Sequence, residues 1–160
     1  MSYDINLFAP IPGEDPILSA KRDVEESDLN QPLSLETKSR NARIVSRLVT
    51  LNSNFEVNEL DSGTEINWLH NDCAFQLFLA ESSGTLNMPY WSENQDQEIF
   101  DLIATSLKIV HEETGFLAYD PQSEELIALD GHSTISTQLF GVGVNVLEKI
   151  IPGKPWWKFW

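Results

Sequence analysis

Residues 55–91, FEVNELDSGTEINWLHNDCAFQLFLAESSGTLNMPYW, decide the fold because they contain four short strand-like segments in succession. Apolar and polar residues alternate in each segment, as expected for strands that bury one face. The segments are FEVNEL (55–60), TEINWLH (64–70), AFQLFLA (74–80) and TLNMPYW (85–91). The connections DSG, NDC and ESSG are too short for the crossovers that parallel strands need. This stretch therefore predicts an antiparallel meander of about four strands.

The residues before the meander predict one strand and two helices. YDINLF (3–8) alternates in the same way and is typical of an N-terminal strand. Asp15 followed by Pro16 is a pattern found at helix starts, and a short helix is expected from about 16 to 26. Residues 35–51 carry an apolar stripe at helical spacing and predict a second helix.

The residues after the meander predict a third helix and a hairpin. Ser92 and Gln95 form a capping-box pattern, and the helix is expected from Glu93 to about Thr114, with Gly115 ending it. FLAYD and ELIAL (125–129), joined by PQSE, are typical of a closing hairpin.

Together these segments predict an α+β fold. The antiparallel sheet consists of the meander, the N-terminal strand and the C-terminal hairpin, with two to three helices packed on one face. Residues 1–131 are expected to form a single domain.

The chain then continues into an apolar segment, 132–151, and a basic aromatic tail, 152–160. Apolar residues at 135–151 recur at helical spacing, whereas Val142, Val144 and Val146 alternate as in a strand, so both structures remain open. We expect the tail to dock on this protein or on a sister copy, and contact with a membrane is the second interpretation. The tail residues expected to dock are Lys154, Trp156, Trp157, Lys158 and Trp160.

Charge indicates the kind of partner. The 160 residues carry a formal charge of −15, and residues 48–148 contain one Lys or Arg, Lys108, against seventeen acids. A field of this sign repels nucleic acid phosphates, so no nucleic acid partner is expected. The acids either form a solvated surface that keeps the protein soluble or attract a basic partner protein, and both interpretations remain open. A single cysteine, Cys73, fits a reducing compartment, and neither a secretory signal nor a membrane-spanning stretch is recognisable, so a cytoplasmic location is expected.

Two patterns have the residue types of chemical sites. DSGT (61–64) matches the short signature of aspartic proteases, but no second copy supplies the partner carboxylate, and Asp-Ser-Gly also suits a hairpin turn. His70, Asp72 and Cys73, with His111, include metal-ligating types, but their spacing matches no zinc pattern. We therefore predict no catalytic residue, no metal site and no cofactor.

Three stretches carry a resemblance to known proteins: MSYDINLFAPIPGEDP at the start, MPYW (88–91), and ETGFLAYDPQSEEL beginning at Glu113. The chain resembles a group of small, uncharacterised bacterial cytoplasmic proteins with a strand running into a Pro-Gly-x-Asp-Pro turn and a late Glu-Thr-Gly segment. The resemblance implies a fold and a bacterial source, and it implies no catalytic residue. In size and acidity such proteins are similar to the immunity proteins of interbacterial toxin systems.

We therefore expect a non-enzymatic protein-binding module, an immunity protein or antitoxin that neutralises a cognate basic toxin by direct binding. Acidic residues would steer the partner and aromatic residues would anchor it. The candidate residues are Asp61, Glu65, Trp68, Asp72, Glu81, Tyr90, Trp91, Glu93, Asp96 and Asp101. The alternatives are a peripheral membrane protein held through residues 135–160 and an enzyme with an unrecognised site; a homodimer is left open.

Overall fold

The computed structural model describes residues 2–26, 31–70, 73–89 and 97–129, which form seven strands and three helices. In chain order the elements are β1 (Ser2–Phe8), α1 (Pro16–Glu26), α2 (Leu35–Leu51), β2 (Phe55–Glu59), β3 (Thr64–His70), β4 (Cys73–Leu79), β5 (Ser83–Pro89), α3 (Gln97–Thr114), β6 (Leu117–Asp120) and β7 (Glu125–Ile127). The predicted α+β class is confirmed.

The strands form one antiparallel sheet in the order β2-β3-β4-β5-β1-β6-β7. The predicted meander corresponds to β2–β5, and the predicted hairpin to β6–β7. Between them lies β1, which pairs with β5 from Ser2 opposite Pro89 to Phe8 opposite Ser83, and with β6 on its other side. The N-terminal strand is therefore a central strand that joins the two locally formed parts of the sheet.

The main core lies between one face of the sheet and helices α2 and α3. Ile5 of β1 and Leu77 of β4 are fully buried on this face. Helix α2 contributes Ile44 and Leu48, and α3 contributes residues that include Ile103 and Leu107. The apolar stripe predicted for α2 is thus one of the surfaces that cover the sheet, and the buried residues of α3 form the other.

Helix α1 packs on the opposite face of the sheet. Phe8 follows Leu7 in β1 and therefore points to the other side, where it forms a second small cluster with Ala20 of α1 and Tyr119 of β6. The expectation that all helices share one face is therefore wrong for α1. The cause is that Phe8 and Tyr119 add an apolar patch to the second face, which α1 buries.

Local signals at the helix ends are confirmed where the structure describes them. The Asp15 carboxylate accepts a hydrogen bond from the backbone N–H of Ile17 at 2.8 Å, at the start of α1. Gly115 ends α3 with a positive φ of 73°, and its N–H donates to the carbonyl of His111 at 2.8 Å. The Ser92–Gln95 capping box and the segments 132–151 and 152–160 lie outside the described residues. Within those residues, none of the helices combines the length and apolar character needed to cross a bilayer.

Candidate partner-binding surface

A polar surface covers the side of strands β1–β5 that faces away from α2 and α3, and we call it the open face. Strand alternation creates it: in β3, Ile66 and Trp68 are buried against the helices, whereas Glu65 and Asn67 point outward and are half-buried. The outward polar side chains are Asp4, Asn6, Glu56, Asn58, Glu65, Asn67, Gln76, Thr85 and Asn87.

Strand register brings the polar residues of the open face into a row. Glu56 lies opposite Asn67, Asn67 opposite Gln76, Gln76 opposite Asn87, and Asn87 opposite Asp4. These five residues come from five different strands, so one line of carboxylates and amides crosses the sheet from β2 to β1. Directly opposed side chains in an antiparallel pair are close enough to interact.

Hydrogen bonds hold much of this row in place. Gln76 Nε2 donates to Asn67 Oδ1 at 3.0 Å, and Asn67 Nδ2 donates to Glu65 Oε1 at 2.7 Å. Asn58 Nδ2 also donates to Glu65 Oε1, at 3.1 Å, and Asn87 Nδ2 donates to Asp4 Oδ1. The side chains that form these bonds are therefore held in place before any partner arrives, which lowers the entropy cost of binding.

The open face has a negative charge. The amides of Asn67 and Asn58, which donate to the Glu65 carboxylate, lower its pKa below the usual value, so it is ionised at neutral pH. Asp4 and Glu56 add two further carboxylates, and β2–β5 contain neither lysine nor arginine.

The basic residues of α1, the helix on this side of the sheet, are already paired. Lys21 Nζ lies 2.9 Å from Glu124 Oε2, and Arg22 lies 2.8 Å from Glu14 Oε2. These two cations therefore do little to offset the negative charge of the open face.

One aromatic ring accompanies the polar residues. Phe78 lies opposite Glu65 in the register, and its ring rests on Gly63 in the β2–β3 turn. A Cβ atom at Gly63 would lie 2.2 Å from Phe78 Cζ, so only glycine allows this close contact. The ring gives the open face an apolar contact beside a carboxylate.

The structure brings only part of the predicted site together. Glu65 lies on the open face, and Asp61 is exposed in the adjacent β2–β3 turn, where the Leu60 N–H donates to the Gly63 carbonyl at 2.8 Å. Asp61 is thus a turn residue, as the Asp-Ser-Gly pattern allows.

Trp68 does not fit the predicted role of a surface anchor. Its side chain is 4% exposed and stacks on Phe75, with ring centroids 5.6 Å apart. The prediction that Trp68 anchors a partner is wrong because Trp68 has the same strand phase as Ile66 and so points toward the helices.

Glu81 stabilises the start of α2, so its carboxylate is not free to bind a partner. Its carboxylate accepts hydrogen bonds from the Ser34 N–H and hydroxyl and from the Thr37 hydroxyl, each at 2.8 Å. These donors, the Ser34 backbone foremost, lower its pKa. Asp101 is exposed on α3, on the opposite side of the sheet from the open face.

The remaining predicted residues lie outside the described part of the chain. They are Asp72, Tyr90, Trp91, Glu93 and Asp96, and the tail residues Lys154, Trp156, Trp157, Lys158 and Trp160. The sequence prediction missed Asp4, Glu56, Asn67, Gln76 and Asn87. Each of these residues occupies a polar position in a strand that alternates polar and apolar residues, and this could have identified it. The strand register was also needed to place the five residues in one row.

A groove of about 540 Å³ lies at the other end of the sheet. Its lining residues are Lys108, His111, Glu112, Leu117, Leu126, Ile127, Ala128 and Leu129. His111 Nδ1 is 2.7 Å from the carbonyl oxygen of Phe116, and Glu112 Oε2 is 2.6 Å from Arg47. These polar groups therefore already hold α3 to its neighbours.

Metal-ligating side chains do not converge in the described ranges, where no group of three or more His, Cys, Asp or Glu could hold an ion. Of the metal-ligating residue types named from the sequence, Asp72 and the side chains of His70 and Cys73 lie outside the described part of the structure.

Comparison with protein-family models, with curated proteins and with solved structures finds no match to this chain. The fold and the surface define it as an acidic α+β protein with an ordered, negatively charged sheet face.

Proposed function

We propose that this chain is a non-enzymatic protein-binding module whose open face binds a basic protein, and that the partner is a toxin which the chain neutralises. The observation that supports this most is the row Glu56–Asn67–Gln76–Asn87–Asp4, with Glu65 beside it. Within it Gln76 is hydrogen-bonded to Asn67, Asn67 to Glu65 and Asn87 to Asp4. Such a surface offers ionised carboxylates for steering and fixed amides for directional contacts.

Charge over the whole molecule supports the same kind of partner. A formal charge of −15 increases the rate at which a basic protein arrives, and ordered side chains then reduce the cost of complex formation. The toxin part of the proposal rests on the class-level similarity to immunity proteins, which act by direct binding of this kind.

Site-specific photocrosslinking in bacterial cells tests the proposal. A photoreactive amino acid at Gln76, in the centre of the open face, is expected to capture a protein with an isoelectric point above about 9. The matched control position is Ala42, which is exposed on α2. Capture from both positions, or capture of an acidic protein at Gln76, would contradict the proposal.

Charge changes of equal size sharpen the test. Gln76→Lys and Ala42→Lys each add one positive charge, but only the first lies on the open face. With the crosslinker placed at Thr85, an exposed neighbour on the open face, Gln76→Lys should reduce capture and Ala42→Lys should not.

To test the toxin assignment, the captured protein is then expressed alone and with this chain. Growth inhibition that co-expression relieves supports the toxin assignment, and a harmless partner refutes that part alone.

A further inference from the structure

The outer edge of β2 is a regular strand edge. β2 ends the sheet, and no strand in the described part of the chain lies beyond it. It pairs with β3 residue for residue, from Phe55 opposite Trp68 to Glu59 opposite Thr64, so it has no bulge. It also contains no proline and no lysine, two residues that commonly protect an edge from pairing.

Backbone groups of β2 point outward at alternate residues. The Leu60 N–H donates to the Gly63 carbonyl in the turn that joins β2 and β3. Backbone groups in an antiparallel pair point toward the partner strand at every second residue. Because Leu60 is bonded toward β3, the N–H and C=O groups of Phe55, Val57 and Glu59 point away from β3. This edge therefore presents a short ladder of donors and acceptors.

Side chains hold the edge rigid. Phe55 is buried and meets Phe75 edge to face, with ring centroids 5.8 Å apart, and Val57 packs partly against the core. A strand anchored in this way is already in the conformation that a further strand would need, which lowers the cost of pairing.

We propose that the outer edge of β2 accepts an extended basic segment of the partner as an additional strand. The inference rests on the proposed function in one respect, that the partner is basic. Strand addition supplies main-chain hydrogen bonds for affinity and leaves the side chains to provide specificity.

Charge selects this occupant. Glu56, Glu59 and Asp61 are all exposed along the edge, and Glu65 lies on the neighbouring strand. Glu56 has the strand phase of the open face and Glu59 the opposite phase, so lysine or arginine at alternate positions of the added strand would face one of these two carboxylates, across a strand spacing of about 4.8 Å. A second copy of this chain would instead bring two acidic β2 strands together, which like-charge repulsion opposes.

The other edge of the sheet fits less well. β7 has three residues, against five in β2, and Glu124, just before it, has a positive φ of 58°. A shorter edge beside a left-handed turn residue offers fewer aligned backbone groups.

A matched pair of variants tests the proposal. Glu59→Gln removes the charge of this residue, whereas Glu59→Pro removes the same charge and the outward N–H. The probe is a short synthetic peptide in which lysine alternates with valine, and binding is followed by the backbone amide signals of the full-length protein. We expect the signals of Val57 and Glu59 to shift, and Glu59→Pro to bind about tenfold more weakly than Glu59→Gln.

A second measurement does not depend on the folding of the proline variant. The fully N-methylated peptide keeps the lysines but cannot form a strand ladder, so it should cause no shift at Val57 or Glu59 in the wild-type protein. Strand addition is overturned if both peptides shift the amide signals of Val57 and Glu59 equally, or if the two Glu59 variants bind the peptide equally well. It is also overturned if the protein self-associates through β2 and does not bind the peptide. The proposed function is decided by the capture experiment and not by the peptide. If Gln76→Lys reduces capture of the partner, the proposed function stands even where strand addition at β2 is overturned. If Gln76→Lys leaves capture unchanged, the proposed function fails, whatever the peptide does at β2.

Discussion

At the scale of single residues, Gly63 is required by the ring above it. Replacing it by alanine would place a methyl group 2.2 Å from Phe78 Cζ, closer than two non-bonded carbon atoms can approach. The ring must then move from its position between the turn and the open face. We expect Gly63→Ala to lower the free energy of unfolding by about 1–3 kcal/mol in urea titrations.

A double-mutant cycle identifies the cause. In a Phe78→Ala background the obstructing ring is gone, so Gly63→Ala should cost at least about 1 kcal/mol less than in the wild type. Gly84→Ala serves as the control, because its methyl group would meet the backbone oxygen of Phe78 at 2.6 Å, which Phe78→Ala leaves in place. Equal costs of Gly63→Ala in both backgrounds would show that the ring is not responsible.

At the scale of one element, the start of α2 depends on a side chain from the β4–β5 turn. The Ser34 hydroxyl accepts from the Thr37 N–H at 3.1 Å and donates to Glu81, whose carboxylate also accepts from the Ser34 N–H. We expect Ser34→Ala to lower the free energy of unfolding by about 1 kcal/mol, as for other N-cap losses. Because Ser34 and Glu81 share these bonds, Ser34→Ala and Glu81→Gln together should cost less than the sum of the single changes.

The Glu81 interaction should also depend on pH. Its pKa is lowered in the folded protein, so the stabilisation is present above the unfolded pKa and is lost as pH falls through the folded value. The difference in unfolding free energy between wild type and Glu81→Gln should therefore shrink between about pH 6 and about pH 3. A difference that stays constant over this interval would show that the carboxylate charge contributes nothing to the cap.

Elements were predicted well where the signal is local. The bounds of α2, 35–51, follow from its apolar stripe, and alternation within each strand located β2–β5. The position of β1 was not predictable in this way, because its pairing with β5 joins Tyr3 to Met88, and no local pattern records such a partner. Helical spacing likewise located α1 without showing which face of the sheet it covers.

The candidate site was less predictable than the fold. Charge counting found Glu65, but it also selected Glu81, whose carboxylate is occupied by the cap of α2. Trp68 and Ile66 have the same phase in β3, so strand alternation indicates that both are buried. Trp68 was selected because it is aromatic, and that criterion does not distinguish a buried ring from an exposed one. The row on the open face exists only once the register places Gln76 between Asn67 and Asn87.

At the scale of the whole molecule, charge works against stability. Twenty-five acids against ten Lys and Arg give strong self-repulsion, which salt screens. Salt also weakens the ion pairs of Arg43 and Arg47 with Glu113, but these are few beside the excess of acids. We expect Tm to rise between about 0.05 M and about 0.5 M NaCl, and to rise less in Gln76→Lys. A fall in Tm with salt would mean that the ion pairs outweigh the repulsion.

The topology also predicts how much of the chain is needed to fold. All seven strands and the main core of the described residues lie within 2–129, and β1 depends on β5 on one side and on β6 on the other. A chain ending at residue 131 should therefore fold cooperatively, whereas one ending at Gly115 loses β6 and β7 and exposes one edge of the central strand. Ile5, fully buried in that strand, would then be left at a sheet edge. Thermal unfolding and amide exchange of the two fragments measure this, and a 1–131 fragment without a cooperative transition would show that the residues after it belong to the folding unit.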